Sequence, residues 1–175
     1  MQTFLPYADF ELSAKVLDSK RLGKQRIEAR DVLYIISRLE DQENLDWLPV
    51  SLNFPLSKEE LRERGDKIFR MFKNHPCCRM WLGHKEALVL YYDTVVREWK
   101  RRGYKHTLKL FRAKKNPPMP WWIGYEPFHL SHQSNLLRKN PSHYGQFFPS
   151  VPSNLAYVWP IDLPQIQAVI SISSH

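Results

Sequence analysis

The sequence predicts an all-α fold, a compact single domain of about three main helices with long loops and an aromatic C-terminal tail. Apolar residues recur at the spacing of a helix face in several segments, and no long alternation of polar and apolar residues argues for a sheet. The 175 residues are enough for one domain with a real core. We expect this domain to span residues 1–164 and to be followed by a loose C-terminal tail at 165–175.

The first long helix is expected at residues 18–39, with Asp18 or Ser19 as its N-cap. A rotation of about 100° per residue places a set of apolar side chains on one face of this helix. These are Leu22, Ala29, Val32, Leu33, Ile36 and Leu39. An ordered arm at residues 1–10 and a short helix ending near Leu17 are expected before it. Such an arm would hold the α-amino group in place.

Ionisable side chains lie along the edges of this apolar face in the first turns of the helix. Glu28, Gln25 and Arg21 continue one edge, and Arg26 and Arg30 lie on the other. These ionisable side chains continue the stripe that faces the core, so they point toward the protein. The pattern therefore predicts a polar cleft. The alternative is a solvated flank on which Glu28 forms an intrahelical ion pair with Arg26 or Arg30.

Three further helices are predicted from their end signals. The S-x-x-E pattern at Ser57 is a capping box that starts a helix. Pro76 in the first turn and Gly103 after the last turn bound a second long helix, in which Gly83 introduces a kink or a break. Pro127 begins the last helix, which runs through two histidines to a basic end.

The chain is basic, with 26 Lys and Arg against 18 Asp and Glu and a net charge of +8. Because the basic residues recur in clusters along the chain, we expect a polyanionic partner. Cys77 and Cys78 are adjacent and ill placed to bridge each other, which favours a reducing compartment. No apolar run of membrane-spanning length and no signal peptide is present. We therefore expect an unsecreted protein without a membrane partner, in the cytoplasm at the nucleoid or wherever the genomic DNA lies.

The His129-x-x-His132 pair is the strongest candidate for a metal site, because two histidines three residues apart share a helix face. No third and fourth ligand is evident, and adjacent cysteines lack the two-residue spacing of a zinc motif. We therefore predict no metal and no cofactor. The absence of a Gly-rich phosphate loop and of a G-x-S-x-G elbow argues against those enzyme classes.

Several stretches carry a resemblance by their order along the chain. They are Leu17 to Arg30, Asn74-His75-Pro76, Tyr91-Tyr92-Asp93, Arg101-Arg102-Gly103-Tyr104, His129-x-x-His132 to Arg138, and His143-Tyr144-Gly145. In this order they resemble the pyrimidine-dimer DNA glycosylase family, the phage endonuclease V-like enzymes. The resemblance implies an all-α fold and a metal-independent DNA glycosylase with associated AP-lyase activity. The implied substrates are damaged or modified pyrimidines, cyclobutane pyrimidine dimers first among them.

The resemblance also implies a mechanism and its residues. In this family the N-terminal α-amine attacks C1′ of the damaged nucleotide, displaces the base and forms a Schiff base that permits β-elimination of the strand. By position, the amine is that of Met1, the proton-shuttling carboxylate is Glu28, and Arg26 holds a phosphate beside the opened sugar. Ile27 stands directly before Glu28 where phage-type enzymes have an arginine, so Arg26 matches only with a shift of one residue.

Gln2 marks a second departure from the phage-type pattern. Phage-type enzymes expose a threonine amine after removal of the initiator methionine, whereas glutamine is too large for usual excision. This leaves the amine of Met1 as the expected nucleophile. If that terminus is blocked, Lys20, Lys24 or a water activated by Glu28 would act in its place.

Double-stranded DNA with a damaged or modified base is the expected partner, bound by a monomer. Basic side chains would neutralise phosphates, and aromatic ones would stack on bases or fill the gap left by an extruded base. The predicted DNA-binding residues are Lys20, Arg21, Arg30, His75, Arg79, Arg101, Arg102, Trp121, Trp122, His129, His132, Arg138, Lys139, His143 and Tyr144. Two other functions stay open, which are a non-catalytic DNA-binding module of the same fold and a glycosylase for another modified base.

Overall fold

Helices form the whole regular structure of the described chain, and most of them were predicted from the sequence, except the short helix at 141–144 and the 3-10 turn at 160–162. A computed structural model describes residues 1–40, 58–105 and 110–162. Its α-helices are α1 (Phe10–Val16), α2 (Ser19–Leu39), α3 (Lys58–Phe72), α4 (Pro76–Arg79), α5 (Lys85–Arg101), α6 (Glu126–Lys139) and α7 (Pro141–Tyr144), and a 3-10 turn spans Pro160–Asp162. No β-strand occurs in these residues, so the all-α prediction is confirmed. The predicted tail at 165–175 lies outside the described residues.

Helix α2 packs along α5 and supplies much of the core. Of the predicted face, Leu22, Ala29, Val32, Leu33 and Ile36 are buried, and Leu39 is partly buried against the same core. Asp18 is the N-cap, and its carboxylate accepts a hydrogen bond of 2.9 Å from the backbone N–H of Arg21. The spacing argument therefore identified both the helix and its buried side.

The second long helix of the sequence prediction is divided in two. Gly83 lies between α4 and α5 with φ of +75°, a left-handed conformation that glycine adopts without strain. Its N–H donates a hydrogen bond of 2.7 Å to Glu40 Oε1 near the end of α2. This turn ends the α4 segment, whose N-cap is His75.

Helix α6 is buried on several sides because it contacts two extended segments of the chain. On one side it binds the N-terminal arm, residues 1–7. Leu5 N–H donates to His132 Nδ1 at 3.1 Å, His129 Nδ1–H donates to the carbonyl of Leu5 at 2.8 Å, and Gln133 donates to the carbonyl of Pro6 at 2.7 Å. The arm is thus fixed by side chains rather than by a strand partner.

On another side, α6 binds the C-terminal segment at residues 155–159. Leu155 N–H donates to Ser134 Oγ at 2.9 Å, and Val158 N–H donates to Ser131 Oγ at 3.2 Å. Arg138 donates to the carbonyl of Leu155 at 3.0 Å. One helix therefore positions both the beginning of the chain and a segment near its end. No described helix is long and apolar enough to cross a lipid bilayer.

Candidate active site

A cavity of ≈ 400 Å³ opens where the N-terminal arm, the first turns of α2 and the C-terminal segment meet. Its lining consists of Met1, Gln2, Phe4, Lys20, Arg21, Lys24, Gln25, Glu28, His75, Lys139, Tyr157 and Trp159. A second cavity of ≈ 440 Å³ lies at the start of α5, and none of the predicted site residues lines it. The first cavity therefore brings together the predicted amine and the predicted carboxylate.

The α-amino nitrogen of Met1 lies 4.0 Å from Glu28 Oε1. Lys24 Nζ lies 3.8 Å from the same oxygen, and Gln25 Nε2 donates a hydrogen bond of 3.0 Å to Glu28 Oε2. Burial raises the pKa of Glu28, against the opposing effect of the two nearby positive charges. A carboxyl with a raised pKa beside an amine can accept a proton in one step and return it in the next.

The arm that carries the amine has little freedom to move. Thr3 N–H donates to the side-chain oxygen of Gln2 at 2.9 Å, and the indole N–H of Trp81 donates to Thr3 Oγ1 at 3.0 Å. Phe4 N–H donates to Gln25 Oε1 at 2.8 Å. Because consecutive arm residues are bound by buried side chains, the position of the amine is set by the folded core.

The rim of the cavity is cationic. Lys20, Lys24 and Lys139 are exposed along it, and Arg21 is half-buried between them. Arg21 forms an ion pair of 2.8 Å with Asp18 and donates to the carbonyl of Lys139 at 3.1 Å, which fixes its guanidinium. Such a rim attracts the phosphates that flank a nucleotide in the cavity.

Three rings also line the cavity, and we call them the aromatic wall: His75, Tyr157 and Trp159. The His75 and Trp159 ring centroids are 5.9 Å apart at an interplanar angle of 87°, and those of Tyr157 and Trp159 are 5.3 Å apart. Burial and then the charge of the amine lower the pKa of His75, and its Nδ1 accepts a hydrogen bond from Cys77 N–H. The ring is therefore neutral, and the wall is suited to a planar base.

The family model described as pyrimidine dimer DNA glycosylase matches residues 1–111. The chain belongs to the pyrimidine dimer DNA glycosylase family. No curated protein and no solved structure matches it. As a member of this family of DNA repair enzymes, the protein is a DNA glycosylase with DNA as its substrate.

The match to the family model covers only part of the lining of the glycosylase cavity. The matched residues include the arm, Glu28 and His75, whereas Lys139, Tyr157 and Trp159 come from the chain beyond it. Part of the rim and two rings of the aromatic wall therefore come from a portion of the chain for which the family model gives no guidance.

Arg26 and Arg30 of the glycosylase do not line the cavity. Each is two residues from Glu28, which places it about 200° around the helix axis. The guanidinium of Arg26 lies 4.2 Å from the ring centroid of Trp99 and donates to the carbonyl of Gly23. Arg30 forms an ion pair of 2.7 Å with Asp31. The geometry therefore does not support the catalytic prediction for Arg26 or the DNA-binding prediction for Arg30.

Arg101 and Arg102 also lie away from the cavity. Both bind the carboxylate of Glu98, at 2.6 and 2.7 Å. Arg102 also donates to the carbonyls of Ala14 and Leu17 at 3.1 and 2.7 Å, where it satisfies carbonyl groups at the end of α1. The guanidinium of Arg102 is thus hydrogen-bonded within the fold, while Arg101 remains exposed.

The buried members of the predicted DNA-binding set hold the fold together. His129 and His132 bind the arm, and Trp122 packs on Trp81 with ring centroids 4.9 Å apart. Tyr144 is fully buried. His143 Nε2 donates to a backbone carbonyl at 2.9 Å. His129, His132, Trp122 and Tyr144 are thus buried in the fold, whereas His143 is partly buried.

The remaining predicted residues, Arg79, Trp121 and Arg138, lie outside the cavity lining and keep exposed or partly exposed side chains. The described residues hold no group of three or more His, Cys, Asp or Glu side chains that could bind a metal ion. Six contributors to the cavity were not in the predicted set: Gln2, Phe4, Lys24, Gln25, Tyr157 and Trp159. The helical register on the Glu28 edge pointed to Gln25, whereas no sequence signal identified which tail rings face the cavity.

Proposed function

We propose that the protein acts as a glycosylase with associated AP-lyase activity on damaged or modified pyrimidines, cyclobutane pyrimidine dimers first among them. The supporting observation is the separation of 4.0 Å between the Met1 amine and Glu28 Oε1 inside a cavity with a cationic rim. Nucleophile and proton acceptor thus share one enclosed site that a nucleotide can enter.

An α-amine suits this chemistry better than a lysine. Reference α-amines have a pKa of about 7.7–8.0, against about 10.4 for lysine, so a larger share is neutral and nucleophilic near pH 7. Lys24 is the nearest lysine to Glu28 in the cavity, but its side chain is 72% exposed. The Met1 amine is therefore the nucleophile of this proposal.

The reaction begins when the lone pair of the neutral amine attacks C1′ of the damaged nucleotide. The C1′–N bond to the base breaks, and the base leaves with the bonding electrons. Glu28 accepts a proton from the new ammonium and gives it to O4′ as the C1′–O4′ bond opens, which produces a protonated Schiff base. Removal of a C2′ proton expels the 3′ phosphate, and water then hydrolyses the imine and regenerates the amine.

The rim and the wall would position the nucleotide for attack. Lys20, Arg21 and Lys139 are placed to contact phosphates beside the opened sugar. The base, turned out of the duplex, would stack on the aromatic wall. Affinity should then fall steeply with rising salt, because phosphate contacts release counterions.

Borohydride trapping tests this proposal. The substrates are a duplex with one cyclobutane pyrimidine dimer and an abasic duplex, and the intact mass of the N-terminus is recorded in the same experiment. We expect a covalent adduct on the Met1 amine that is lost in Glu28→Gln and kept in Glu11→Gln, which alters an exposed carboxylate on α1. In Glu28→Gln, DNA binding should be unchanged or stronger, since a negative charge near the phosphates is removed.

The other outcomes separate the alternatives. Cleavage of the C1′–N bond without an adduct would indicate attack by a water that Glu28 activates. Salt-sensitive binding with neither an adduct nor cleavage of this bond would indicate a DNA-binding module or an enzyme for a different base.

A further inference from the structure

The Gln25 side chain is fully buried beside the amine and the carboxylate, and both of its polar atoms are hydrogen-bonded. Its Oε1 accepts hydrogen bonds from Phe4 N–H at 2.8 Å and from the Tyr91 hydroxyl at 2.6 Å. Its Nε2 donates to Glu28 Oε2 at 3.0 Å. One amide therefore joins the arm, α5 and the Glu28 carboxylate.

The orientation of this amide is determined by its neighbours. A backbone N–H can only donate, so Phe4 N–H requires an oxygen opposite it and places the NH₂ group toward Glu28. Tyr91 is fully buried, and burial raises the pKa of its phenol well above the ordinary value, so the hydroxyl keeps its proton. A flipped amide would set its NH₂ group against the Phe4 N–H.

This orientation distinguishes the two oxygens of Glu28. Oε2 is occupied by the Gln25 amide, whereas Oε1 faces the Met1 amine at 4.0 Å. Phe4 is three residues from Met1 along an arm bound to the core, so the same amide also locates the nucleophile.

We propose that Gln25 is a positioning residue, whose amide ties the arm carrying the nucleophile to the Glu28 carboxylate and turns Oε1 toward the amine. The inference rests on the proposed function. It assigns no contact with substrate to Gln25, which acts through the two groups that it binds.

The charged and titratable groups that interact electrostatically with Glu28 come from several elements. They are the Met1 amine on the arm, Lys24 and Asp31 on α2, Cys77 on α4, Tyr91 on α5 and Tyr157 on the C-terminal segment. The test therefore alters Gln25 alone and leaves each of these groups in place.

The first variant is Gln25→Leu, which keeps the approximate volume and removes all three hydrogen bonds. We measure single-turnover trapping on an abasic duplex and separate the rate constant from the amplitude. A positioning role lowers the rate constant of the folded protein at least tenfold and changes the Kd for the duplex less than threefold. A purely structural role lowers the amplitude alone, and an unchanged rate constant would overturn the proposal.

The second variant, Gln25→Glu, separates the two ends of the amide. Its carboxyl still accepts from Phe4 N–H and Tyr91, but it donates to Glu28 only when protonated. We expect the ratio of variant to wild-type trapping rates to rise at least fivefold from pH 8 to pH 5.5. A ratio that does not change with pH would contradict the proposal.

Asp93→Asn is the matched control. Asp93 is a fully buried polar residue on α5 that accepts from Phe111 N–H at 2.9 Å and Ala113 N–H at 2.8 Å, away from the amine. It should lose stability with an unchanged trapping rate constant. If wild type forms no adduct, the proposed function fails and this inference fails with it. If wild type forms the adduct and Gln25→Leu traps at the wild-type rate, only the Gln25 inference fails.

Discussion

Tyr144 and Asp18 exchange two hydrogen bonds at the point where α2 begins. The Tyr144 hydroxyl donates to Asp18 Oδ2 at 2.9 Å, and Asp18 N–H donates to the Tyr144 oxygen at 3.1 Å. Since Asp18 is also the N-cap of α2, a ring 126 residues later in the chain fixes the first turn of the helix that carries Glu28.

Tyr144→Phe should lower the free energy of unfolding by about 1–3 kcal/mol, because it leaves a part-buried N–H without its acceptor. Urea unfolding followed by circular dichroism measures the change. Tyr104→Phe is the matched control, since its exposed hydroxyl donates to Ser19 Oγ and should matter by less than about 0.5 kcal/mol. Equal losses in the two variants would contradict the role given to Tyr144.

Stability should fall between neutral pH and pH 5, in part through His132. Burial lowers the pKa of His132 to about 3, so the folded state keeps the ring neutral while the unfolded state binds a proton below about 6.5. The contribution of His132 to the free energy of unfolding is complete above pH ~6.5 and is lost as the pH falls. At pH 5 the loss is about 2 kcal/mol. Urea unfolding of His132→Gln at pH 7.5 and pH 5 should show a smaller loss than wild type. If the variant and the wild type lost the same stability between these pH values, the pH dependence would come from groups other than His132.

Lys139→Gln should weaken binding to duplex DNA a few-fold and reduce the slope of log Kd against log salt concentration by about 1. Lys139 is exposed on the rim of the cavity. Fluorescence anisotropy at several salt concentrations measures both quantities. Lys15→Gln, an exposed lysine on α1 paired with Glu11, should keep the wild-type slope. An unchanged slope in Lys139→Gln would remove this residue from the phosphate contacts.

Trp159→Ala should weaken binding to a dimer-containing duplex about 5- to 150-fold, since stacking contributes about 1–3 kcal/mol per base. Binding to an undamaged duplex should change less, because no base then enters the cavity. Trp121→Ala tests the sequence prediction beside it, as Trp121 lies outside the cavity lining. A larger effect of Trp121→Ala would favour the sequence prediction over the aromatic wall.

Local patterns predicted the helices well. The buried face of α2 and the capping signals at Asp18 and Pro76 follow from spacing and backbone chemistry within a few residues, which a sequence displays directly. Helical register also placed Glu28 at the edge of the core face, whereas its role as the carboxylate of the site was implied by the family resemblance and stays a prediction. A kink or break at Gly83 was also predicted, since glycine is the residue that adopts a positive φ without strain.

Side-chain contacts with distant parts of the chain were not predictable from the sequence. The spacing of His129 and His132 placed both on one helix face, but that face turns toward the arm rather than toward DNA. Arg26 lies close to Glu28 in sequence and yet packs on Trp99, because two residues span more than half a helical turn. An irregular segment has no periodic pattern, so the sequence does not show which of its rings face a cavity. Trp159 is an example.

The attachment of the arm to α6 also determines when the site can form during synthesis. His132 and Gln133 lie more than 120 residues after their arm partners Leu5 and Pro6. Contacts of such long sequence separation form late, since the intervening chain must first be made and closed. The arm can therefore dock, and the cavity that it lines can close, only after α6 has been synthesised.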